Sequence, residues 1–203
     1  MTWPQIGPHL RKKDDNLIQQ VPITLSLLGI ILGIYILLAW QGKSVLKINR
    51  DLLQYVGQNN DMIFDQAAFY QLISAIFVHM DIVHLGYNLI WLLAFGFKVE
   101  ETYKRQQYIL FFLLTGITGN LLSLLWGRNF ISVGASGAIF GLLGIILMNQ
   151  RILNPKTWRN TLFLVLLFFI LTISVNTNIL SHLGGLFAGM LVGLKWKPPS
   201  KKK

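Results

Sequence analysis

Six stretches of this chain contain no Asp, Glu, Lys or Arg: roughly residues 23–40, 82–97, 107–126, 133–149, 161–175 and 179–194. Each is near or somewhat below the ~20 apolar residues a helix needs to cross a bilayer. Blocks of this kind, in place of an alternating pattern, restrict the chain to an all-α membrane protein. The predicted architecture is a six transmembrane helix bundle in one domain over residues 22–195. A cytoplasmic tail, 1–21, precedes it and a basic tail, 196–203, follows. The shorter blocks imply untilted helices, a thinned bilayer or shielding by neighbouring helices. Composition agrees: 53% of the 203 residues are hydrophobic and 13% charged, against about 25% charged in soluble domains.

The net charge of +10 would suit nucleic acid if it formed one patch, but the connections divide it. Fourteen Lys and Arg fall on one side of the expected membrane and four (Lys43, Lys47, Arg50 and Arg128) on the other. The positive-inside rule then places both termini in the cytoplasm of a multi-pass cell-membrane protein, with membrane lipids and no nucleic acid among its partners. The first twenty residues are too polar for a secretory signal, so the first span would drive insertion. Short loops and the lack of a mitochondrial-type presequence point to a bacterial membrane. With no Cys, a thiolate nucleophile or thiolate metal site is excluded.

The longest connection, 41–81, is not a plain polar loop. Leu52, Leu53, Tyr55 and Val56 form an amphipathic patch, a polar stretch runs from Gly57 to Asp61, and residues 67–78 are largely apolar. About a dozen residues suit an interfacial or re-entrant segment better than a span, with a seventh span ending near His79 as the other option. Part of the connection is expected in the outer leaflet. The fifth block lacks glycine and is expected to face lipid. Asn176-Thr177-Asn178 reads as a tight outer turn, and the Lys-rich C-terminus as an anchor to anionic headgroups.

Polar groups inside a bilayer require a partner or a role. His84 and Asn88 are four apart, about 40° of helical rotation, and point the same way; His79 lies about 140° round and is not expected on that face. Interhelical hydrogen bonding would explain the pair by itself. In the fourth block Gly134, Gly137, Gly141 and Gly144 share one bare face. In the sixth, His182 shares a face with Gly185, Gly189 and Gly193. If these two faces pack, His182 arrives beside Ser136, which opens its helix where free N–H groups and the positive dipole end favour an anion. Two readings stand at this point: a capping serine with a hydrogen-bonded histidine, or a nucleophile with its base.

The motifs His79-(four residues)-His84-(three)-Asn88, Gly134-Ala135-Ser136-Gly137 and His182-Leu183-Gly184-Gly185-(three)-Gly189 resemble those of the rhomboid intramembrane serine proteases. They occur in the family's order on the second, fourth and sixth blocks, and the resemblance covers about residues 20–195. It implies a Ser-His dyad with Ser136 as nucleophile and His182 as base and then acid. It implies an oxyanion site of His84, Asn88 and the Ser136 backbone N–H, a structural His79, and a Glu100 that ties the cytoplasmic turn. No cofactor or metal is implied. The substrates would be single-span or multi-span membrane proteins cut near the extracytoplasmic end of a transmembrane segment.

The residues agree with a dyad, because none of the six blocks contains a carboxylate to orient His182. Packing must then fix the imidazole. Two departures from the family pattern stand out. A Trp-Arg pair common in bacterial members is Tyr70-Gln71 here, which puts the lipid anchoring of the outer connection in doubt. A Tyr stacked on the base is Phe140, which keeps the ring face and loses the hydroxyl. Two other classes compete: an inactive relative that binds transmembrane clients, and a metal site built from His79, His84 and His182.

Overall fold

The computed structural model describes residues 21–156, 158–172 and 178–198. Most of the expected N-terminal tail, the Asn176-Thr177 part of the outer turn and the end of the basic tail lie outside the described residues. Six longer helices match the six apolar blocks: α1 (Pro22–Gln41), α5 (Ile82–Glu100), α6 (Arg105–Ser123), α7 (Ser136–Leu153), α8 (Trp158–Thr172) and α9 (Ile179–Lys195). Between α1 and α5 lie three short helices, α2 (Arg50–Val56), α3 (Asn60–Gln66) and α4 (Gln71–Ser74). A two-residue strand β1 (Gln58–Asn59) pairs antiparallel with β2 (Ile131–Ser132), which precedes α7. Four helices, α1, α5, α6 and α7, are long and apolar enough to cross a membrane; α8 and α9 are shorter apolar helices.

α7 is the hub. Every residue from Gly137 to Gln150 is buried, as expected of a helix apolar on all sides. The glycine faces do meet. A Cβ added at Gly185 would overlap the Gly137 carbonyl oxygen, one at Gly189 would overlap that of Gly141, and one at Gly193 would sit 2.8 Å from the Met148 Cβ. On another side of α7 a Cβ at Gly141 would overlap Thr115 of α6. With side chains absent at these crossings the backbones touch, and dispersion between them holds the helices together where lipid offers no hydrophobic drive.

α1 begins at Pro22, whose missing N–H is no loss at a first helical position. The next two donors are met by a distant carboxylate: Glu100 accepts from the Ile23 N–H (2.8 Å), the Thr24 N–H (2.8 Å) and the Thr24 hydroxyl (2.6 Å). Glu100, for which the resemblance implied a tie at the cytoplasmic turn, joins the end of α5 to the start of α1.

In the 42–81 connection the apolar run is broken, with α4 only four residues long, so the optional seventh span is not formed there. The polar stretch is not solvated: Gln58 and Asn60 are fully buried. The Gln58 side chain donates to the Asn60 side chain and to the Asn120 carbonyl (3.0 Å each), and Asn60 donates to the Gly127 carbonyl (2.7 Å). Finally, Gln71 is an internal anchor. It is fully buried, accepts from the Asn59 N–H (2.8 Å) and donates to the carbonyls of Gln54 (2.9 Å) and Tyr55 (3.2 Å). A buried amide satisfies three backbone groups where an Arg would place a charge. At the surface, Arg128 grips Asp65 with two bonds of 2.7 and 2.8 Å, joining α3 to the segment that leads into β2.

α8 touches the bundle along one edge. Val165 and Phe168 pack on Phe140, Leu143, Leu147 and Met148, while Phe163, Leu166 and Ile170 are more than half exposed. An apolar outer surface of this kind is suited to lipid.

Candidate active site

β2 delivers the chain to α7 through Val133-Gly134-Ala135. Gly134 has φ +123°, a conformation open to glycine, and a Cβ there would lie 2.8 Å from the His84 ring. The glycine thus lets His84 lie against the backbone. The Gly134 N–H is held by the Ala75 carbonyl (2.9 Å), and the Ala135 N–H points at His79 Nε2 (3.5 Å). The N-cap is Ala135, so Ser136 is the first residue inside the helix and not a capping serine. The Ile139 N–H is the first to reach a carbonyl within the helix, that of Ala135 (2.9 Å). The N–H groups of Ser136, Gly137 and Ala138 precede it and have no intrahelical acceptor.

His182 stands one turn into α9, and its Nε2 lies 2.9 Å from Ser136 Oγ. The glycine crossing brings the two together, since Gly137 follows Ser136 directly and Gly185 follows His182 within one turn. Among the described residues no carboxylate hydrogen-bonds this imidazole. Instead the Phe140 ring stacks on it at 4.3 Å and 24°, with the Phe169 edge 6.4 Å away. Phe140 is held in turn by Phe168 and Phe169, at 5.0 and 5.6 Å.

His84 and Asn88 line the same cavity as Ser136 and His182. Asp81 caps α5 by accepting from the His84 N–H (2.7 Å), and the Asn88 amide donates to the His84 carbonyl (2.8 Å). His84 Nδ1 and Asn88 Oδ1 are buried with no partner inside the protein, a costly arrangement away from a ligand site. His79 does not behave as the helical rotation suggested. It lies outside α5, so the 140° offset does not apply, and its ring packs edge-on against His84 at 5.1 Å. It is fully buried and supports both the His84 ring and the Ala135 backbone. Among the described residues, no group of three His, Asp or Glu is placed to hold a metal ion.

The contribution of Asn178 is not apparent in the sequence. Its side chain caps α9, accepting from the Ser181 N–H (3.1 Å), and donates to Ser132 (2.7 Å) beside the serine loop. An Asn before an apolar block signals a cap; its partners, 46 and more positions away, leave no local trace.

The model of the rhomboid domain matches residues 66–198. Rhomboid protease GluP of Bacillus subtilis is 30% identical over 195 residues, 91% of this chain and 38% of that protein. RHOMBOID-like protein 1 of Arabidopsis thaliana is 34% identical over 139 residues, 65% of this chain and 36% of that protein. Rhomboid-like protease 3 of Toxoplasma gondii is 29% identical over 150 residues, 70% and 57% of the two chains. The chain belongs to the rhomboid family, and with its apolar helices it is a multi-pass membrane protein. It spans between 36% and 57% of the length of these relatives.

Proposed function

We propose that this chain is an intramembrane serine endopeptidase whose six longer helices all cross the bilayer, cutting transmembrane segments of membrane proteins near their extracytoplasmic end. The observation that carries the reading is the 2.9 Å approach of His182 Nε2 to Ser136 Oγ at the start of α7, in a cavity lined by apolar helices. Residues 22–195 form the protease domain, with both of its ends on the cytoplasmic side of a cell membrane.

In this mechanism Ser136 Oγ attacks the scissile carbonyl carbon as its proton passes to His182 Nε2. The carbonyl electrons move to oxygen, and the oxyanion takes hydrogen bonds from the Ser136 N–H, the second Asn88 amide hydrogen and His84. Collapse expels the amine, which takes the proton from His182 and leaves an acyl ester on Ser136. Water, deprotonated by His182, attacks that ester; the acid product leaves and the proton returns to Oγ. Fixed donors at the developing charge supply much of the acceleration in such sites. The stacked Phe140 ring holds the plane of the imidazole, the orienting part of what an aspartate does in a triad; it does not fix the tautomer or stabilise the imidazolium.

The substrate helix reaches Ser136 from the side. The cavity, about 1600 Å³, is lined from the serine outward by Trp91 and Phe95 of α5 and Leu164 and Phe168 of α8. Phe168 packs edge-on against Trp91 (4.6 Å) and Phe95 (5.6 Å), so these rings must part to admit a membrane segment, which must also unwind before its carbonyl can meet Ser136. Substrates with Gly or Pro near the cut should therefore be preferred.

A fluorophosphonate probe on detergent-purified protein, read by mass spectrometry, tests the reading. Labelling at Ser136, lost in both Ser136→Ala and His182→Ala with folding intact, is expected. Absence of labelling in folded wild-type protein would overturn it and favour a client-binding role.

A further inference from the structure

Asn178 uses every hydrogen-bonding position of its side chain. Its Oδ1 accepts from the Ser181 N–H (3.1 Å) and from Trp126 Nε1 (2.9 Å). Its Nδ2 approaches the hydroxyls of Ser123 (2.6 Å) and Ser132 (2.7 Å), one for each amide hydrogen. Two donors and two acceptor lone pairs is the full capacity of a primary amide. A helix cap needs only the first of these bonds. A Ser, Thr or Asp would supply it as well, so capping alone does not account for the amide or for where its donors go.

The partners come from three elements. Ser123 ends α6 and Trp126 lies in the turn that follows. Ser132 is the second residue of β2, four before Ser136. Ser181 is in the first turn of α9 and adjoins His182. The backbone adds a further contact: the His182 N–H bonds to the Asn178 carbonyl at 3.2 Å. These contacts close a ring. One arm runs from Asn178 through Ser132 and residues 133–135 to Ser136. The other runs one helical turn, about 6 Å, from Asn178 to His182. The Ser136–His182 contact of 2.9 Å joins the two arms.

We infer that Asn178 is a positioning residue that sets the register of His182 against Ser136. The glycine crossing of Gly137 and Gly185 fixes how close α7 and α9 come. In the first turn of α9 the small Ser181 side chain seats against Gly119 and Gly137, a contact that leaves the turn some freedom to slide and rotate. A shift of about 1 Å in a reacting pair lowers rates by as much as 10²-fold. Asn178 removes that freedom by tying the first turn of α9 to the strand that carries the serine. No group in the ring is charged, so the restraint adds no ion to a site at the edge of a membrane.

The inference rests on reading Ser136 and His182 as nucleophile and base, and its test keeps the two separable. The first readout is the side-chain nitrogen NMR signal of His182 in histidine-labelled protein, assigned with His182→Gln; it reports the Ser136 contact whether or not the protein is an enzyme. The second is the rate of fluorophosphonate labelling at Ser136. Asn178→Leu should shift the His182 Nε2 signal toward that of a free imidazole and slow labelling on the order of 10- to 10²-fold. Asn178→Ser, which can still cap α9 through the Ser181 N–H but has no amide to reach Ser123, Trp126 and Ser132, should leave most of both effects in place.

Ser132→Ala breaks the nucleophile arm and spares the cap, so it should reproduce part of both effects. Trp126→Phe, which cuts a bond outside the ring, should change them less. Wild-type signals and labelling rates in folded Asn178→Leu would overturn the inference. So would an Asn178→Leu protein that fails to fold while Ser132→Ala matches wild type, since Asn178 would then be only a cap. A wild-type protein that does not label would end the hydrolase reading, and the NMR comparison would still decide the role of Asn178.

Discussion

Glu100→Gln exchanges one carboxylate oxygen for an NH2 group and removes one charge, at a site where the geometry allows the effect to be worked out. Glu100 is 5% exposed. Its Oε1 accepts from the Ile23 N–H and its Oε2 from both the N–H and the hydroxyl of Thr24. A glutamine has one carbonyl oxygen. Placed toward Thr24 it keeps two bonds without charge assistance, and its NH2 then faces the Ile23 N–H, donor against donor. Bonds to a charged acceptor contribute about 1.5–3 kcal/mol against about 1 kcal/mol for neutral ones, and an unmet buried donor costs about 1–3 kcal/mol. Allowing for relaxation, Glu100→Gln should destabilise the protein by about 2–4 kcal/mol. Chemical denaturation in detergent, followed by tryptophan fluorescence, measures this. Thr24→Val should cost less, and the double variant less than the sum, because the two residues share a bond. Twelve residues of helix, about 18 Å, separate Glu100 from Asn88, so labelling of the remaining folded protein should keep its wild-type rate. A loss under about 0.5 kcal/mol, the range of a neutral surface change, would refute the capping role. A slowed labelling rate in fully folded protein would refute its separation from the site.

On the proposed mechanism Asn88→Ala takes away one oxyanion donor and should lower the cleavage rate of a transmembrane substrate on the order of 10- to 10³-fold, with Ser136 still labelled by the probe. Gly185→Val drives a side chain into the Gly137 carbonyl, so it should lose both thermal stability and labelling; an unchanged melting temperature would contradict the packing. Phe140→Tyr should label at close to the wild-type rate, whereas Phe140→Leu, which removes the stacked ring, should label several-fold more slowly in a protein that remains folded.

Much of this protein was legible in the order of its residues. Charge-free blocks located the six longer helices, because a charge in hydrocarbon is costly enough to mark boundaries. The four-residue glycine spacing located the α7–α9 crossing, since a helix repeats its face at that interval and only bare faces let backbones touch. That crossing brought Ser136 and His182 together. Where helical periodicity did not apply, inference from spacing failed. His79 precedes the first turn of α5, so its rotation relative to His84 had no meaning, and only the folded chain places the two rings together. The break in the 67–78 run, the burial of Gln58, Asn60 and Gln71, and the bridge from Glu100 to α1 depend on partners far along the chain. Asn178 shows the same limit at the site itself. Sequence marks an asparagine before an apolar helix as a cap, because that bond is local; its bonds to Ser123, Trp126 and Ser132 exist only once tertiary packing has brought three elements within reach of one amide.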